Sequence, residues 1–248
     1  MSQAIYPSLR HRAVLVTGGA TGIGASVVEH FCAQGARTAF LDFDEAAGRA
    51  VAARTGADFV LCDLRDIAAL REAIAGLAQK HGNFSVLVNN AARDDRHALE
   101  TVEPEFWDER VATNLRHQFF AAQAVAPGMK AARSGSIINM GSVSWLLSQG
   151  GMPAYTASKS GVRGLTRGLA RDLGGFGIRV NEIVPGWIFT ERQETLWATP
   201  ESVAETMKRQ CIPEKLRAPD VARMALWLAA DDSRLVTAQS FVVDGGSI

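Results

Sequence analysis

The chain has 248 residues, 47% hydrophobic and 21% charged, the composition of an ordinary globular protein with ample material for a core. Basic and acidic residues balance at 26 each, so nothing in the charge points to a nucleic-acid or membrane partner. Cys32, Cys62 and Cys211 lie far apart with no C-x-x-C and no histidine at ligand spacing, which argues against a disulfide framework or a metal site and makes the reducing cytoplasm the expected compartment.

In chain order, Arg10, His11 and Arg12 lead into a short apolar run that reads as a strand and not as a signal peptide. Strands are predicted over residues 13–17, 37–42, 58–62, 84–89, 136–140, 178–184 and 239–243. Helical periodicity predicts helices over 23–34, 45–54, 67–81, 105–133, 154–173 and 219–230. The strands are nearly all apolar and do not alternate, as expected when helices cover both faces of a sheet. The pattern predicts an α/β fold, a doubly wound seven-stranded parallel sheet with right-handed crossovers. No linker, repeat or charge block divides the chain, so residues 1–248 read as one domain. The longest apolar run, 224–230, is far too short to span a bilayer. Residues 186–217 break the regular spacing. A long insertion at the carboxyl end of a strand is where such folds place ligand-covering elements, and it is expected to form one or two short helices acting as a lid.

Three groups of residues point to chemistry. Gly18, Gly22 and Gly24 follow the first predicted strand directly and open a helix, with Thr21 and Ile23 between them. Such a turn permits close backbone approach to a pyrophosphate and aims a helix N-terminus at its charge. Asp42 ends the second strand, where a carboxylate accepts hydrogen bonds from an adenosine ribose. It would repel a 2′-phosphate, two such charges at ~4 Å costing on the order of 4 kcal/mol at an effective dielectric near 20. Asp44 adds to that repulsion, so NAD is expected over NADP. Tyr155 and Lys159 stand one helical turn apart on one face, so the ammonium is expected to draw the phenol from about 10 toward working pH and make it a general acid/base. Ser142, on the loop leaving the fifth strand, is placed to hold a substrate oxygen beside that phenol. The other tyrosine, Tyr6, has no such partner.

With Asp63 and Leu64, Asn89 to Ala91, Asn114, Asn181, Pro185 and Gly186, and the closing Asp244, Gly245 and Gly246, these motifs resemble the short-chain dehydrogenase/reductase family over essentially the whole chain. The resemblance implies a Rossmann-type fold binding NAD. It gives Tyr155 proton transfer, Ser142 orientation of the substrate oxygen, and Lys159 the nicotinamide ribose. It also implies an Asn114-bound water continuing the proton relay. Asp63 and Leu64 would meet the adenine, Asn90 and Ala91 the adenosine side, and Ile188 and Thr190 the carboxamide, with Pro185 and Gly186 in the same binding wall. The family is commonly tetrameric, which implies a homotetramer packed through the two long helices. Ala92 departs from the usual glycine.

The run from Arg93 through Asp94, Asp95 and Arg96 to His97, with Asn114 to His117 and Ser142 to Trp145, is similar to the bacterial aldose 1-dehydrogenases, particularly those acting on D-xylose. That similarity implies oxidation of the anomeric hydroxyl of a sugar to a lactone. Asp94, Ser142, Trp145, Gln149, Tyr155 and Trp187 are the candidate substrate contacts, because a sugar site wants hydrogen-bonding groups and a flat apolar face. Trp197 would also lie at the lid. The rival readings are a ketone or 3-oxoacyl reductase and a nucleotide-binding regulatory protein without turnover.

Overall fold

The computed structural model describes residues 4–248. Seven parallel strands form one sheet in the order β3-β2-β1-β4-β5-β6-β7. They are β1 (Ala13–Thr17), β2 (Arg37–Asp42), β3 (Asp58–Leu61), β4 (Val86–Asn89), β5 (Gly135–Met140), β6 (Ile178–Pro185) and β7 (Ser240–Val243). The direction of winding reverses between β1 and β4, so the loops leaving these two strands part there and open a crevice. One face packs Val14, Val16, Phe40, Ile138 and Ile183 against α1 (Gly22–Ala33) and α9 (Ala218–Ala229). The other packs Leu15, Leu41, Leu87 and Ile137 against α3 (Ile67–His81), α5 (His117–Ala132) and α6 (Pro153–Gly174). Both faces are therefore sealed from water, the condition that makes the strands continuously apolar.

Local chemistry sets the element ends. Asp44 caps α2 (Glu45–Thr55) by accepting from the Ala47 amide, and Asp66 caps α3 by accepting from the amides of Ala68 and Ala69. In the insertion, Thr190 caps α7 (Glu191–Leu196), and Thr199 with Ser202 forms a capping box on α8 (Pro200–Arg209). These are the two short helices expected there.

The structure departs from the predicted elements chiefly at residues 105–133. Instead of one helix there are α4 (Pro104–Val111), a π-helical turn over Ala112–Arg116, and α5. Asn114 sits in that turn, its amide donating to the Arg110 carbonyl at 2.9 Å and its carbonyl accepting from the Arg93 amide at 2.8 Å. A helix that must offer a side chain to a neighbouring loop has reason to take up an extra residue per turn, and hydrophobic period does not reveal that. The strand ends also differ. Cys62 lies beyond β3, and Phe84 is a buried approach to β4. β6 runs on to Pro185, since as the last residue it needs no donor of its own in the ladder.

Candidate active site

A cleft of about 1080 Å³ opens over the carboxyl ends of the strands. At its floor is the glycine turn. Gly18 has a left-handed φ of +68°, and a Cβ there would stand 2.7 Å from the Ala91 α-carbon. A Cβ on Gly24 would fall 1.7 Å from the Gly18 carbonyl oxygen. Gly24 thus lets the first turn of α1 close onto the loop without itself lining the cleft. The turn is tied to β4 by Asn90, whose side-chain amide donates to the Gly18 carbonyl at 2.8 Å and whose backbone amide donates to the Thr17 hydroxyl at 3.0 Å. Thr21, at the N-cap of α1, makes no capping hydrogen bond, and the first turn of that helix holds no acidic residue. Its amides and partial positive charge are therefore free for an anionic group.

Asp42 is 7% exposed and lines the cleft. Its carboxylate accepts from the Ala20 amide at 2.9 Å and the Asp44 amide at 3.1 Å, which fixes it at the strand end. It does not cap α2, because Asp44 does. Asp63, Leu64, Asn90 and Ala91 line the same end, and Arg65 joins them. The Arg65 guanidinium is tied to Asp63 at 2.6 Å and Glu109 at 3.0 Å, and that pairing holds the Asp63 carboxyl below its usual range. Pro185, Gly186, Ile188 and Thr190 line the far wall. Turn, free helix amides and ribose-side carboxylate together fit a dinucleotide with an extended pyrophosphate.

Tyr155, Lys159 and Ser142 meet over β5. The Lys159 amine is 1% exposed, lies 5.6 Å from the Tyr155 ring centre, and donates to the Met140 carbonyl at 2.7 Å. The expectation that Lys159 depresses the phenol is corrected here. Tyr155 is half-buried in the wall of the cleft, which takes part of the solvent away from its phenol. That desolvation pushes the phenol up to about 12; Ser142 and Arg96 pull it down and Asp94 pushes it up. Burial likewise brings the amine down to about 8, with Glu182 and Asp94 opposing. Desolvation outweighs the neighbouring cation, which sequence spacing cannot weigh.

Of the candidate substrate contacts, Asp94, Ser142, Gln149, Tyr155 and Trp187 line the cleft, and so does Ala92. Trp145 does not: it lies in a short 3-10 turn with its indole N–H buried and without a partner among the described residues. Asn114 is also set back, wholly buried behind the loop it holds. The loop from Arg93 to His97 is clasped to the insertion through Asp94, Asp95 and Arg96. Gln193 donates to Asp94 at 2.8 Å and accepts from the Trp187 indole at 2.9 Å. Arg192 donates to Asp95 at 2.7 Å, while the nearly buried Arg110 donates to Asp95 at 2.5 Å. Arg96 stacks its guanidinium 5.1 Å above the Trp197 ring and touches the Met152 sulfur. His97 is structural: its Nε2 accepts from the Ala154 amide at 3.4 Å and its backbone amide donates to Gly151. Gln193, Arg192 and Met152 carry no signal in the sequence beyond lying in or beside the irregular segments. No cluster of three or more His, Cys, Asp or Glu side chains suited to a metal occurs among the described residues. No helix there is long and apolar enough to cross a membrane.

The family model described as enoyl-(acyl carrier protein) reductase, one of the short-chain dehydrogenase/reductase models, matches residues 18–247. The chain belongs to the short-chain dehydrogenase/reductase family. It is therefore an oxidoreductase of a family that binds a nicotinamide cofactor. The chain is 50% identical to the protein named "Probable galactose dehydrogenase GalD" of Rhizobium meliloti, over 97% of this chain and 96% of that one. It is 43% identical to D-xylose 1-dehydrogenase of Caulobacter vibrioides, over 99% of both. Among solved structures, a 3-oxoacyl-[acyl-carrier protein] reductase from Brucella melitensis superposes with a TM-score of 0.90 at 32% identity, covering 98% of this chain and 94% of that one.

Proposed function

We propose that this oxidoreductase is an NAD-dependent aldose 1-dehydrogenase, oxidising the anomeric hydroxyl of a cyclic pentose or hexose to the aldonolactone. The observation that carries the reading is the lining of the cleft that holds the phenol. Asp94, Gln193, Gln149 and Arg96 line it together with Trp187 and Trp197, hydrogen-bonding groups beside aromatic side chains, the combination that suits a ring of hydroxyls with an apolar C–H face. Two relatives over nearly the full length are named as galactose and D-xylose dehydrogenases, and this supports the same substrate class.

In the proposed reaction Ser142 holds the anomeric oxygen and Tyr155 takes its proton as the C1 hydrogen leaves as hydride. The nicotinamide, when bound, supplies the hydride acceptor. Gly18, Thr21, Gly22 and Ile23 would hold its pyrophosphate, and Asp42 the adenosine ribose. Lys159 would hold the nicotinamide ribose and balance the phenolate. Because Asp42 and Asp44 line the end of the cleft that would take the adenosine ribose and the Arg65 guanidinium is already paired twice, the site would favour NAD over NADP. Helices α7 and α8 act as the lid, closing on substrate through the Asp94 and Asp95 clasp and keeping water from the hydride. The homotetramer is part of the same proposal. Exposed Trp107 and Phe119 on α4 and α5, and Ile212 and Val242 near β7, are apolar surface that subunit contacts would cover.

A ketone or 3-oxoacyl reductase is the second reading, favoured by the Brucella neighbour and the apolar Leu147, Leu196 and Met152 in the cleft. Purified protein with NAD and a panel of aldopentoses and aldohexoses is expected to form NADH. No NADH with any aldose, alongside turnover of a ketone, would overturn the sugar assignment.

A further inference from the structure

Glu182 lies in the middle of β6, opposite Asn139 of β5 and Ser240 of β7, and is wholly buried in a strand that is otherwise largely apolar. Its Oε2 accepts from the Ser240 hydroxyl at 2.5 Å. Its Oε1 accepts no hydrogen bond among the described residues and rests against Gly141, so close that a Cβ there would stand 2.1 Å from it. A carboxylate so placed costs several kcal/mol unless a positive charge compensates it. A carboxamide or an apolar side chain would serve packing better.

The candidate cations are few. Arg163 of α6 is exposed and reaches Ser240, donating to its hydroxyl at 3.3 Å. Lys159, one turn earlier on α6, is buried, and its amine donates to the carbonyl of Met140, the residue joined to Gly141. Lys159 and Glu182 thus both meet the Met140–Gly141 backbone at the end of β5, the amine by a hydrogen bond and the carboxyl by packing. No carboxylate among the described residues forms a direct ion pair with Lys159, and the other titratable group facing it from the interior is His117 of α5. Burial brings that imidazole down to about 3, so it is neutral and supplies no counter-charge. Asp94 faces Lys159 from the cleft side, but its carboxylate is engaged by Gln193 and Arg192.

We propose that Glu182 is the buried counter-charge of Lys159, a positioning residue that keeps the amine protonated from the closed side while its open side serves ribose and phenol. The pull runs in both directions: burial raises the Glu182 carboxyl while the Ser240 hydrogen bond, then Arg163 and then Lys159 draw it down, and burial lowers the Lys159 amine while Glu182 draws it up. Gly141 makes the arrangement possible by leaving room for Oε1. The inference rests on Lys159 having the catalytic place given to it above.

The test is a pH titration of the Lys159 amine by NMR in lysine-labelled, cofactor-free protein, with the signal assigned by its loss in Lys159→Met. Glu182→Gln is expected to lower that titration by about one pH unit, and Glu182→Asp to restore most of it. The alkaline limb of kcat should move down with it while KM for the sugar stays put, a split that a merely structural role would not produce. If Glu182→Gln does not fold, Ser240→Ala is read in its place. Removing the hydrogen bond that favours the carboxylate should move Lys159 the same way by less. A Lys159 titration unmoved in the folded variant overturns the proposal. Full activity in Lys159→Met, with the Glu182-dependent titration intact, would sink the catalytic reading of the lysine but not the ion pair.

Discussion

The two ends of the cleft are built by opposite means. At the proposed cofactor end, backbone and short-range contacts do most of the shaping: Asn90 and Thr17 hold the glycine turn to β4, Gly18 and Gly24 let backbones touch, and Asp42 is fixed by amides of neighbouring residues. At the substrate end, charged and amphipathic side chains from distant segments meet. Asp94, Asp95 and Arg96 reach across to Gln193, Arg192 and Trp197, about a hundred residues further along the chain. Backbone-built recognition is rigid and serves any member of a family with one cofactor. Side-chain contacts across loops can change without disturbing the sheet, and in the proposed function they would set substrate choice.

Substitutions at the two ends should separate these roles. The largest effect is expected at their junction: Tyr155→Phe should lower kcat for aldose oxidation by about 10³-fold while NAD affinity, read by fluorescence titration, holds. At the cofactor end, Gly24→Ala forces a methyl onto the Gly18 carbonyl. It should cost about 3 kcal/mol of unfolding free energy in denaturant melts and weaken NAD binding, whatever the sugar. At the substrate end, Asp95→Asn leaves Arg110 and Arg192 short of a partner. It should raise KM for the sugar about tenfold with the NAD affinity unchanged. An equal loss of NAD affinity would show that the two ends are not independent. Asp42→Ala should narrow the preference for NAD over NADP by about tenfold in kcat/KM. The smallest signal is spectroscopic. With Tyr155→Phe as reference, the ultraviolet titration of the cofactor-free protein should place the Tyr155 phenolate near 12, and bound NAD should bring it down as positive charge enters beside the phenol. A Tyr155 that ionises near 10 without cofactor would mean the desolvation argument is wrong.

How legible each end was in the sequence follows from the same contrast. The glycine turn, Asp42 and the seven strands are local patterns whose physics acts within a few residues, and the sequence places every strand end within two residues of its observed position. Trp145 looked like a sugar platform because it follows Ser142 by three residues, yet a 3-10 turn carries it away from the cleft. Asn114 could be singled out as poor helix material. That it breaks the helix into a π-turn to hold the Arg93 amide depends on a loop the pattern does not show.

By itself the sequence determined the architecture, the glycine turn after β1 and the pairing of Tyr155 with Lys159, because periodicity, glycine steric freedom and helical spacing act along the chain. Only the tertiary structure decided what surrounds that pair. The clasp from Asp94 and Asp95 to α7, the burial that pushes the phenol up and the amine down, and the carboxylate of Glu182 beneath Gly141 all depend on which distant segments exclude water from a charge. Desolvation is a property of the assembled fold, and no spacing rule encodes it.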